Sequence, residues 1–235
     1  MRTLHGDLLL EAWERGANQG DLERPLTLLA VAWPGRSWEE LADLGLAQLQ
    51  MELLLLRRAS FGDALRSCAP CPLCATRLEL DLQISSILPK EILRTPGEAT
   101  WRHDGVVHSM RAVTSRDLAS LRSARDPRKR LLDLCTRTDP PDGCTAARCQ
   151  AVAMEHFDRL NEGTEMRLTL QCPTCSGTDQ VDLDVGRFVW MEVRHAALTL
   201  LREIHQLATV YGWSESEILA LSNVRRSMYL GMATA

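Results

Sequence analysis

Four of the eight cysteines stand in two matched pairs, Cys71-Pro-Leu-Cys74 and Cys172-Pro-Thr-Cys175. One Cys-x-x-Cys turn supplies two thiolates, half of a tetrahedral metal site. Two such turns facing each other form a closed tetrahedron of sulfurs, the structural form of a zinc site, with no position open to water. Period-two alternation adjoins both pairs. Leu78, Leu80, Leu82 and Ile84 follow the first, while Met166, Leu168 and Leu170 precede the second and Val181, Leu183 and Val185 follow it. Such alternation marks half-buried strands. A redox dithiol instead opens a helix whose N-terminus depresses the thiol pKa, so the strand context favours metal. Cys68-x-x-Cys71 is also a legal pair, but the shared Cys-Pro-x-Cys pattern selects Cys71 and Cys74. The expectation is one structural zinc ion per chain, held by Cys71, Cys74, Cys172 and Cys175.

The two pairs are separated by 97 residues, 75–171, so the chain must leave the site and return to it. Pairing between the strands of the insertion and those of the second knuckle is the expected means. Cys135, Cys144 and Cys149, with His156 nearby, read as small buried hydrophobes on helices rather than as a second site. The six histidines include no His-Glu-x-x-His, and there is no Gly-rich phosphate loop, nucleophile elbow or carboxylate pair. Asp182 and Asp184 read as the solvated face of a strand. Neither catalysis nor a small-molecule substrate is expected.

The elements that must position the cysteines are mostly helical. "GDLLLEAWERG" is a short amphipathic helix, and "ERPLTLLAVAWPG" places Pro25 at a helix start and stops at Pro34-Gly35. Ser37 and Glu40 form a capping box that opens one long helix through "WEELADLGLAQLQMELLLLRRA", apolar on more than one face. "VVHSMRAVT" is a further strand. Thr114 with Asp117, Asp126-Pro127, and Thr145 open three helices in turn, the last of which ends at Asn161 to Gly163. From residue 187 a long helix carries Val193, Ala197, Leu201, Ile204, Ala208 and Tyr211 at helical spacing. A second capping box, Ser214 with Glu217, starts a short helix that Trp213 and Ile218 can staple. "SNVRRSMYLGM" is one more.

Composition limits the classes of function. The chain has 235 residues, 45% hydrophobic and 25% charged, ordinary for a globular protein. With 31 acidic against 27 basic residues and a net charge of −4, it lacks the basic excess of a nucleic-acid-binding surface. No apolar run is long enough to span a bilayer, and the N-terminus carries no signal-peptide pattern. Paired cysteines without an export signal point to a reducing compartment, the cytoplasm.

The C-terminal sequence "FVWMEVRHAALTLLREIHQLATVYGWSESEILALSNVRRSMYLGM" resembles the baseplate hub assembly chaperone family of T-even-type phages. It is more closely similar to the zinc-knuckle members encoded with contractile, phage-tail-like injection systems of bacteria. The resemblance covers the last 50 residues, extends to "LTLQCPTCSG" and "FVW", and reaches more loosely to "SFGDAL" with "CPLC" and to "VTSRDL". Knuckles in that family are followed by glycine, where Ala75 and Ser176 stand here. The resemblance implies an accessory or baseplate protein that binds baseplate and hub proteins of a contractile particle. Trp213, Ile218, Arg225, Arg226 and Tyr229, aromatic, aliphatic and Arg residues clustered after the long helix, are of the kind that anchor interfaces.

The expected fold is α+β and mainly helical. An N-terminal helical region (1–66) precedes a split four-cysteine zinc ribbon (67–186), which carries a strand and helical insertion (95–163). A C-terminal helical interaction module (187–235) follows. The expected function is non-catalytic baseplate assembly or membership in the baseplate. A zinc-ribbon nucleic-acid adaptor and a Cys-x-x-Cys thiol oxidoreductase are the rivals from other classes.

Overall fold

The computed structural model describes residues 1–88, 97–103, 105–123, 125–139 and 147–233. It is a mixed α+β protein, predominantly helical with small antiparallel sheets. Helices α1 (Asp7–Gly16), α2 (Glu23–Ala32), α3 (Trp38–Ala42) and α4 (Leu46–Phe61) lead into a hairpin of β1 (Ala64–Pro70) and β2 (Arg77–Gln83), closed by the single turn α5 (Ile84–Ile87). The insertion contains a three-stranded sheet in the order β3 (Glu98–His103), β4 (Val106–Arg111), β5 (Thr136–Asp139). Helices α6 (Ser115–Ala119), α7 (Pro127–Cys135) and α8 (Ala147–Leu160) accompany that sheet. A second hairpin, β6 (Arg167–Gln171) with β7 (Thr178–Asp182), precedes the long helix α9 (Val185–Tyr211), α10 (Glu215–Leu219) and α11 (Asn223–Ala233).

The two ends of the chain fold as one body. Leu10, Leu28, Leu53 and Leu56 from the first helices share a core with Val189, Val193, Ala197, Ile204 and Leu207 of α9. Sequence texture changes near residues 66 and 186, yet the helical regions before and after are packed on each other. Gly16 lets α1 approach α9 closely: a Cβ there would lie 2.5 Å from the Trp190 ring. Arg57, buried on α4, spans to α9 with two 2.7 Å hydrogen bonds to the Glu192 carboxylate and gives a third to the Gly62 carbonyl.

The insertion has its own small core of Met110, Val113, Leu132, Cys135, Phe157 and Leu160. It is tied to the helical body at the break between α3 and α4. Here the structure departs from the single long helix expected after Ser37. The chain opens at Asp43–Gly45, where the Leu46 amide donates to the Val113 carbonyl at 2.9 Å and Gly45 bridges Thr114. Leucine periodicity continues across the break, but the tertiary backbone bond replaces a helical one.

Both expected capping boxes form, at Ser37/Glu40 and Ser214/Glu217, and Thr114 opens α6 with its amide and hydroxyl both donating to the Asp117 carboxylate. Asp126 caps α7 by accepting the Lys129 amide. Asp184 is not on a strand face: it caps α9 by accepting the Arg187 amide at 2.9 Å. Cys144, Thr145 and the Cys149 side chain lie outside the described residues.

Candidate metal centre

Each hairpin is rooted in the main core and carries cysteines at its tip. Leu65 and Leu82, directly paired, and Ile84 root the first; Met166, Leu183 and Val185 root the second. The loops joining the strands, Cys71 to Thr76 and Cys172 to Gly177, have the same backbone. In the first, the Cys71 amide donates to Thr76 O at 2.8 Å and the Ala75 amide to Cys71 O at 2.8 Å. In the second, the Cys172 amide donates to Gly177 O and the Ser176 amide to Cys172 O, both at 2.9 Å. The fold closes each turn through a left-handed residue, Ala75 at φ 58° and Ser176 at φ 56°. These are the two positions where glycine is the unstrained choice.

The four sulfurs converge. Cys71 Sγ lies 3.7 Å from Cys175 Sγ and Cys74 Sγ lies 3.6 Å from Cys172 Sγ, and all four ligand atoms fall within 4.8 Å of one another. A disulfide needs sulfurs about 2.05 Å apart. A tetrahedral centre with metal–sulfur bonds of about 2.3 Å needs them about 3.8 Å apart, so the spacing fits a metal ion shared between the knuckles. The first cysteine of each knuckle is buried and the second exposed. Among the described residues, this is the one group of three or more His, Cys, Asp or Glu side chains whose ligand atoms come together.

Local hydrogen bonds divide the thiols. The Thr76 hydroxyl, 3.3 Å from Cys74 Sγ, and then the Thr76 amide hold Cys74 down to about 6. The Cys175 amide holds the Cys172 thiol below its ordinary value. The Gly177 amide favours the Cys175 thiolate, but the crowding sulfurs of Cys172, Cys74 and Cys71 push that thiol up to about 12. Without a cation the sulfurs compete for protons; a divalent ion removes the conflict by taking them all as thiolates.

The pairing expected between strands of the insertion and those of the second knuckle is absent among the described residues, where β3–β5 form a sheet of their own. Among the described residues, β1–β2 and β6–β7 are separate two-stranded sheets. Apart from their roots, the hairpins meet through a cluster of Cys71, Leu78 and Cys172 with Leu170 packed against it, and Leu73 of the first knuckle lies over Gly177 of the second. The chain returns because the insertion packs on α4, where Gln50 Nε2 donates to the Thr164 carbonyl at 2.6 Å just before β6. Cys68, the rival ligand, is not among the converging sulfurs. It lies on an exposed face of β1 and lines an open cleft of about 780 Å³ with Phe61, Phe188, Met191 and His195.

The five C-terminal candidates divide by burial. Ile218 is fully buried in the main core, so it anchors α10 rather than a partner. Trp213 stacks on Tyr211 with ring centroids 4.7 Å apart and meets the edge of Tyr229 at 4.9 Å. Arg226 is paired with Glu203 of α9 at 2.8 Å. These four hold α10 and α11 on α9, and Arg225 is the one exposed to solvent. The apolar residues that do face outward on α11 are Val224, Met228 and Met232, spaced by four in "NVRRSMYLGM". That spacing was the available signal.

No family model matches the sequence, and no curated protein or solved structure matches the chain. No helix among the described residues is long and apolar enough to cross a membrane.

Proposed function

We propose that the ion held by Cys71, Cys74, Cys172 and Cys175 is zinc, and that the chain is a non-catalytic assembly factor or component of the baseplate of a phage-tail-like contractile injection system. The observation that carries the zinc assignment is the closed four-sulfur site. Four thiolates complete the coordination of a tetrahedral ion and leave no place for water or substrate, so the metal braces two hairpins. A soft, all-sulfur tetrahedron selects zinc, with iron the other common occupant. Elemental analysis of purified protein is expected to give one zinc per chain, and a coloured, iron-bearing protein would overturn the assignment.

The baseplate role is supported by the resemblance of the C-terminal segment, in which α10 and α11 pack on α9. The protein acts there through contacts with baseplate and hub proteins, in the cytoplasm. Mass spectrometry of sheath-containing particles from the native host, combined with deletion of the gene, tests this reading. Stoichiometric presence identifies a baseplate component, while absence combined with failed assembly on deletion identifies a chaperone that leaves. Absence with normal assembly refutes both.

A further inference from the structure

Helix α11 is amphipathic with its apolar faces divided between the protein and solvent. None of its residues is buried. It is held to α9 on one side, where Arg226 pairs with Glu203, Leu230 packs on the main core, and the Tyr211 hydroxyl donates to the Tyr229 carbonyl at 3.3 Å. On the other side Val224, Met228 and Met232 are 76%, 61% and 62% exposed. Their spacing of four residues aligns them in one stripe about 12 Å long.

From Ile218 to the end of the chain there is no acidic residue. Arg226 is neutralised by Glu203, which leaves exposed Arg225 beside Val224 as the charge that borders the stripe. We infer that this face of α11 docks an amphipathic helix of a partner protein, with the partner's apolar residues on Val224, Met228 and Met232 and an acidic side chain opposite Arg225. A second copy of the chain does not fit as well. Two α11 helices bring arginines and no carboxylate to the seam. The stripe is also only three side chains wide, well short of the roughly 800 Å² per partner that a stable interface buries. The small area suits a contact that forms and releases, and unbranched methionines adapt to more than one partner surface. The inference deepens the proposed assembly role, on which it rests for its biological setting, by naming the partner's chemistry.

The test uses two fluorescently labelled synthetic helical peptides with the same leucine stripe, one flanked by glutamates and the other by lysines. Binding to the zinc-loaded full chain is read by anisotropy. The glutamate peptide is expected to bind at least tenfold more tightly than the lysine peptide. Met228→Glu is expected to weaken it at least tenfold, and Arg225→Glu to reverse the preference between peptides. Both positions are exposed, and unchanged melting curves establish that each variant is folded; Val224→Ser with Met232→Ser provides a second, uncharged disruption of the stripe. Equal affinity for the two peptides, no binding, or insensitivity to Met228→Glu overturns the inference. So does a dimer in sedimentation that Met228→Glu dissociates, because the second copy then covers the face. Failure of the peptide with assembly still dependent on the gene removes the docking face and leaves the assembly role standing. Peptide binding with normal particles after gene deletion does the reverse.

Discussion

Replacing Ala75 and Ser176 by glycine is expected to stabilise the protein, although neither change adds a contact. Both residues are held at left-handed φ, 58° and 56°, where the side-chain Cβ crowds the following carbonyl. That conformation costs an L-residue roughly 1–2 kcal/mol. Glycine removes the cost but gives the unfolded chain more freedom, worth about 0.4–1 kcal/mol in the other direction. Both side chains are exposed, so truncation forfeits no packing. The net gain is therefore about 0.5–1 kcal/mol per site, or about 1–2 kcal/mol for the pair if the sites are independent. For a chain of this size that corresponds to a rise in Tm of about 3–6 °C when the ribbon melts with the core. If the ribbon opens separately, the gain is instead read in a chelator competition, where the double variant retains zinc against about tenfold more chelator. Thr174→Gly, at a position in the second knuckle with ordinary φ, is the control and is expected to lose stability by about 0.5–1 kcal/mol. Equal gains at all three positions, or losses at Ala75 and Ser176, would refute the strain argument.

Cys172→Ser removes a buried ligand, so zinc is expected to be lost. The hairpins should then become susceptible to proteolysis while helical circular dichroism persists, because the helices have their own core. Retention of full zinc occupancy would show that the ligand set is wrong. Zinc affinity is expected to rise with pH. The metal-free Cys175 thiol, pushed up to about 12, is protonated at neutral pH and must lose its proton on binding, whereas Cys74, held down to about 6, is already mostly ionised. Each proton released makes affinity about tenfold greater per pH unit. Calorimetry of zinc binding in buffers of different ionisation enthalpy counts those protons, and a count of zero contradicts the thiol assignment. Gly16→Ala forces a methyl into the Trp190 ring at 2.5 Å and is expected to destabilise by about 1–3 kcal/mol in chemical denaturation. A neutral result would mean that α1 and α9 are farther apart than described.

Features legible in the sequence were those encoded within a few residues of chain. A helix cap places its donor and acceptor three residues apart, so the capping boxes Ser37/Glu40 and Ser214/Glu217 and the Thr114/Asp117 cap could be read directly. The same holds for each Cys-Pro-x-Cys turn and for the alternation of β2. What escaped depended on distant partners. Strand β1, "ALRSCAP", buries Leu65 but shows little apolar alternation, and it is a strand because its full length pairs with β2. Asp184 continues an alternating pattern and reads as strand, whereas its carboxylate accepts the Arg187 amide at the start of α9. The aromatic and Arg cluster at the C-terminus stands out in the sequence, but sequence does not say which side of a short helix faces the body. Arg226 turned inward to Glu203 and Ile218 was buried, which left the methionine stripe outside.

The separation of the two knuckles follows from where the energy is. The cost of closing a flexible loop grows with the logarithm of its length, about 0.6 kcal/mol per doubling. Extending a connection from about 12 residues to the 97 between Cys74 and Cys172 therefore costs about 2 kcal/mol at most. The actual cost is lower, because the insertion folds on its own core and is pinned to α4 at Leu46 and Gln50. A structural zinc contributes on the order of 10 kcal/mol or more, which exceeds that cost several-fold. The two leucines of the cluster between the hairpins supply much less, at roughly 1.5–3 kcal/mol each when fully buried. With no ladder joining the hairpins, an ion shared by the four sulfurs would be the principal bond between their tips. A metal held there would fix the insertion at its two ends, while the helical body, rooted independently in its own core, keeps α11 in place with or without it.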